Sequence, residues 1–119
     1  METKRVLAWT AGLVAAGCFL VGGWGIASAD EAKDLYDKNC TSCHGAGGKG
    51  DGAAGKFLNP KPGDFTVVLK GKADADLTKT VTEGGKAVGK SALMPAFKGK
   101  LTDAQIQGLI GYVKGLAAK

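Results

Sequence analysis

Apolar positions follow three different rhythms along the chain. Lys4 and Arg5 precede a nearly unbroken apolar run from Val6 to Ile26, which closes on Ala27-Ser28-Ala29. A basic start, an apolar stretch and an A-x-A end are the layout of a secretory leader, here cleaved after Ala29. A run of about 20 apolar residues also suffices to span a bilayer, so a retained anchor is the alternative. The chain therefore divides into residues 1–29, signal peptide or membrane anchor, and one domain over 30–119. Either reading carries that domain across the membrane, to a periplasmic location. Within it the helical rhythm is clearest at the C-terminus, where Ile106, Leu109, Ile110, Val113 and Leu116 line one stripe. Thr102 with Gln105 three residues on supplies a capping box for that helix.

Two more helices are predicted. Asp30 to Asn39 has acidic residues in its first turn and Leu35 and Tyr36 on its apolar side. Asp74 to Glu83 is stopped by Gly84-Gly85. Between them, six glycines in the eleven residues Gly45–Gly55 mark a loop, continued by Asn59-Pro60-Lys61-Pro62-Gly63. Phe65 to Leu69 is a short apolar run that periodicity leaves open between strand and helix. The expected class is all-α, with three to four short helices and no internal repeat.

Composition sharpens this picture. Residues 30–119 contain no Trp, three Phe and two Tyr, and a domain of this size is marginal by burial alone. So thin a core calls for a disulfide, a metal or a cofactor to build around. Cys18 belongs to the leader, which leaves Cys40 and Cys43 as the only thiols of the domain. A disulfide closing so short a loop would stabilise little. Removing Lys4, Arg5 and Glu2 with the leader leaves 14 Lys against 10 acids, a charge of +4 with no Arg. The lysines are dispersed, without the basic clusters of a nucleic-acid surface. Such a charge suits steering toward an acidic partner; plain solvation is the competing account.

Cys40-Thr41-Ser42-Cys43-His44 is C-x-x-C-H, the attachment signature of a c-type haem. Two thiols three residues apart can reach the two vinyl groups on one porphyrin edge, and the next residue presents an imidazole to the iron. A thioredoxin-type pair needs a βαβ setting, and no strand leads into Cys40. A zinc site needs a fourth ligand, and the domain has no further Cys or His. One haem, covalently bound through Cys40 and Cys43 and ligated by His44, is therefore expected. His44 is the only histidine, which rules out two imidazole ligands from one chain. Met94, 50 residues on in a Pro-containing loop, is the available thioether for the opposite face; core packing is its competing use. A sulfur donor favours ferrous iron.

With these motifs in place, residues 30–119 resemble the class I monohaem c-type cytochromes. Tyr36 stands four residues before the first haem cysteine, where that family carries an aromatic. Leu109-Ile110-Gly111-Tyr112 is similar to the family's C-terminal helix segment, and Met94-Pro95-Ala96-Phe97 to its distal methionine motif. The resemblance implies helices wrapped round an almost buried haem with one edge exposed for electron transfer. Two positions depart from the pattern. Gly50-Asp51-Gly52 is followed by Ala53 rather than by the proline whose neighbourhood orients the proximal histidine, leaving Pro60 or Pro62 for that place. Ala32 stands where the family often has glycine at the helix crossing.

Three further matches carry no function. Gly84 to Ser91 reads G-x-x-x-x-G-K-S, but Pro95 blocks the helix that a phosphate loop requires. Gly45 to Gly50 and Gly50 to Gly55 both spell G-x-G-x-x-G without a preceding strand, and the sequon Asn39-Cys40-Thr41 overlaps the haem motif. The expected function is that of a monomeric one-electron carrier, not an enzyme, docking briefly with redox proteins of acidic surface and binding no nucleic acid. A haem enzyme or gas sensor is the alternative if Met94 is absent from the iron. A tethered subunit of a larger oxidoreductase is the alternative if the leader stays.

Overall fold

Three helices found where the sequence predicts them form the frame. In the computed structural model, which describes residues 25–119, α1 spans Ala29–Asn39, and its N-cap Ser28 accepts a hydrogen bond from the Glu31 amide. A single turn, α2, follows over Thr41–His44. The open case between strand and helix resolves as a second single turn, α3, Phe65–Val68. The reason is local: the Asp64 carboxylate caps it by accepting from both the amide and the hydroxyl of Thr66. Helix α4 covers Asp74–Glu83 and ends at Gly84, whose φ of +83° only glycine adopts without strain. Helix α5 runs Asp103–Ala117 behind the reciprocal Thr102–Gln105 capping box. The expected three to four helices are thus five α-helices, because two single turns join the three longer ones. No β-strand occurs among the described residues, as expected for an all-α domain. The leader and Cys18 lie largely outside the described residues.

Packing of α1 on α5 organises the core. Ala32 is 1% exposed, so the small side chain fits at the buried position where a glycine was the alternative. Tyr36 is wholly buried and stacks on Tyr112 of α5 at 5.2 Å. Tyr36, Phe65, Leu109 and Leu116 form one buried cluster, so α1, α3 and α5 meet there. Each such side chain contributes on the order of 1.5–3 kcal/mol. Exposed polar ties, Lys114 to Asp74 at 2.6 Å and Gln107 to Thr78, join α4 to α5; an exposed ion pair of this kind adds little.

Candidate haem-binding site

The junction between α1 and α2 builds the site. Cys40 ends α1, its amide donating to the Tyr36 carbonyl, and it also opens α2, its carbonyl accepting from the amides of Cys43 (3.2 Å) and His44 (2.9 Å). One turn of helix therefore carries both thiols, and His44, four residues after Cys40, lies one turn on along the same face. The two thiols are unbridged. Burial, with Cys43 adding to it, pushes the Cys40 thiol up to about 11, so it is protonated at neutral pH.

The glycine loop wraps the end of this turn. Gly45 leaves α2 at a φ of +80°. The carbonyls that α2 cannot pair internally are then taken up in order: Thr41 by the Gly45 amide, Ser42 by Ala54 and His44 by Gly50. At Gly52 the approach is backbone on backbone, since a Cβ there would come within 2.6 Å of the Cys43 carbonyl oxygen. Gly52 and Gly55 are needed for close approach to the Cys-His turn, while Gly48 and Gly50 make room for Phe65 and Pro62.

His44 is half-buried, and burial lowers its pKa. Its Nδ1 is turned inward with no hydrogen-bond partner among the described protein groups. Its ring lies 5.0 Å from that of Phe65, tilted by 33°. Of the two prolines left open by the sequence, Pro60 is exposed, whereas Pro62 packs on the loop at Gly50 and Gly55. Neither carbonyl accepts from His44. The tilted Phe65 ring and the hydrogen bond from the Tyr36 hydroxyl to the Gly45 carbonyl, 2.7 Å, escape a reading of the sequence. Only the placement of Phe65 in an apolar run hinted at a role.

Met94 arrives from elsewhere, on the loop between α4 and α5. Its carbonyl accepts from the Gly85 amide at 3.0 Å, its amide donates to Ser91, and its side chain is half-buried. The stretch Gly84–Ser91 is no phosphate loop: Gly85–Val88 forms a 3₁₀ turn, and the amides of Gly85, Gly89 and Lys90 are all spent on main-chain carbonyls. No cluster of three His, Cys, Asp or Glu suited to a metal ion occurs among the described residues. The donor set of two free thiols and one imidazole on a single turn fits a covalently held haem, and the surrounding core is as lean as that use requires.

Comparison with known proteins agrees with this chemistry. The family described as cytochrome C oxidase, cbb3-type, subunit III matches residues 27–113. A cbb3-type cytochrome c oxidase subunit CcoP of Azospirillum brasilense is 36% identical over 90 residues, covering 76% of this chain and 29% of that protein. The chain thus spans less than a third of the oxidase subunits it matches. Cytochrome c6 of Nostoc sp. is 40% identical over 83 residues, covering 70% of this chain and 66% of that protein. Cytochrome c6 of Leptolyngbya boryana is 32% identical over 93 residues, covering 78% and 98%. With a helical fold, a Cys-x-x-Cys-His turn and relatives of this size, the chain belongs to the cbb3-type subunit III family of cytochrome c domains and is a small monohaem class I c-type cytochrome.

Proposed function

We propose that the protein is a one-electron carrier whose haem is attached through Cys40 and Cys43 and ligated by His44 and Met94. When bound, the haem supplies an iron that changes between ferrous and ferric states. The observation that carries this reading is the single turn holding Cys40, Cys43 and His44 with both thiols free. The chain's own residues have distinct tasks. Cys40 and Cys43 would anchor the haem, His44 would hold its iron, and Met94 would be the second iron ligand, keeping exogenous ligands away. The dispersed lysines meet redox proteins with acidic surfaces, so association slows as salt rises. An optical spectrum of the purified holoprotein, with and without carbon monoxide, is the test. A low-spin spectrum with a weak far-red sulfur-to-iron band, unchanged by carbon monoxide, is expected. A high-spin ferric spectrum or ready carbon monoxide binding would overturn the carrier reading in favour of a haem enzyme or gas sensor.

A second reading concerns the N-terminus. Ala27 donates its amide to the Ala104 carbonyl at 3.1 Å and lies against Gly108 of α5, while Ser28 caps α1. Cleavage after Ala29 would remove all three contacts. They favour a retained leader and a haem domain tethered on the periplasmic face, as a subunit of a larger oxidoreductase would be, and the chain is similar to subunits of a cbb3-type cytochrome c oxidase. Intact mass of the purified protein decides: an N-terminus upstream of Ala27 supports the tether, and one at Asp30 supports a freely diffusing carrier.

A further inference from the structure

Resting on the assignment of His44 as an axial ligand, we propose that Phe65 and Tyr36 act together as an aromatic brace that sets the rotation of the His44 imidazole. A ligating histidine ordinarily donates its second ring N–H to a carboxylate, carbonyl or water, which fixes the ring. His44 has no such protein partner for Nδ1. What touches the ring instead is Phe65, at 5.0 Å and 33°.

Phe65 can hold another ring in place because it is itself held. It is 7% exposed, and its amide donates to the Gly48 carbonyl at 2.8 Å. Its ring occupies the space of the missing Gly48 side chain, where a Cβ would lie 2.9 Å from Cε2. The preceding Asp64 caps α3 and pairs with Lys49 of the glycine loop at 3.7 Å. From behind, Tyr36 meets Phe65 edge-on, with centroids 6.5 Å apart and planes at 69°. The Tyr36 hydroxyl then reaches past it to the carbonyl of Gly45, the residue directly after His44. One aromatic pair therefore fixes both the imidazole and the backbone that carries it. A buried hydroxyl left unpaired is costly, so the Tyr36 bond is hard to give up.

The orientation of an axial imidazole plane shapes the spread of the haem-methyl proton shifts in the ferric state, a readout that simple loss of stability leaves alone. Holoprotein carrying Phe65→Leu, which keeps an apolar core residue, is compared with Tyr36→Phe, which removes only the hydroxyl. Phe65→Leu is expected to retain the low-spin optical spectrum while reordering or compressing the methyl shifts. Tyr36→Phe is expected to move the same resonances less, and Phe65→Tyr to restore most of the parent pattern. Methyl shifts unchanged in low-spin Phe65→Leu would overturn the brace alone. Unchanged shifts in Tyr36→Phe, with Phe65→Leu shifted, would overturn the part given to Tyr36. A His44→Ala holoprotein that keeps the parent's low-spin ferric spectrum would overturn the ligand assignment itself, and the brace with it.

Discussion

The two sides of the site are built in opposite ways. On the proximal side, Cys40, Cys43 and His44 share one helical turn, and a loop drawn from the next eleven residues caps its carbonyls backbone to backbone. Met94, the proposed ligand for the other side, lies on a loop tied to α4 by backbone bonds from Phe97 to Val81 and from Lys98 to Thr82, and to Gly85 through its own carbonyl; its neighbour Leu93 is 69% exposed. The proximal half is local, dense and fixed by close packing. Met94 is supplied by chain 50 residues further on. Close packing is concentrated around the Cys-His turn, whereas Met94 comes from a longer loop anchored at its base on α4.

That contrast can be broken from either side. The largest effect is expected from His44→Ala, which removes the only imidazole of the chain: the low-spin spectrum should be lost altogether, as optical spectroscopy will show. Gly52→Ala drives a methyl group into the Cys43 carbonyl and should cost about 1–3 kcal/mol in denaturant unfolding, as overpacking does. Met94→Ala should leave the haem covalently attached and the helices intact while permitting carbon monoxide to bind; full resistance to carbon monoxide in that variant would remove Met94 from the iron. Gly85→Ala, crowding the Ser91 carbonyl and the Met94 side chain, should give a weaker version of the same carbon monoxide sensitivity without harming attachment.

The smallest effect is expected at Asp64. Its bonds from Thr66, helped by Lys49, hold its carboxyl below the usual carboxylate range. A folded-state value below the unfolded one adds stability above the ordinary carboxylate range and loses it as the pH falls through the lower value. The group is exposed, so Asp64→Asn should destabilise only slightly at neutral pH. Unfolding curves of variant and parent should converge in acid.

Legibility from sequence followed the range of the interactions. Thr102 with Gln105, the stripe Ile106 to Leu116 and the Gly84 stop are local signals, and α4 and α5 appear as expected. The thiols and His44 carry their chemistry within five residues, so the proximal site could be read directly. Phe65 could not, because a five-residue run has no period to count and its helix depends on the Asp64 cap. Nor could the Tyr36 hydroxyl bond to Gly45, which requires α1 and α2 to meet at a particular angle across Cys40. The place of Ala27 against Gly108 was hidden for a different reason. The same Ala-Ser-Ala letters that fold onto α5 also spell a cleavage border.

The proximal turn has a consequence for the order in which the molecule can be assembled. Every backbone bond that shapes it joins residues between 36 and 65, so short loops close it at low entropic cost. Residues 103–117, which bury Tyr36 and complete the core, contribute none of those bonds. The turn that carries the thiols can therefore form before α5 docks. Docking of α5 then completes the core at Tyr36 and leaves both thiols partly exposed, so the Cys-His turn stays accessible after the last helix has packed.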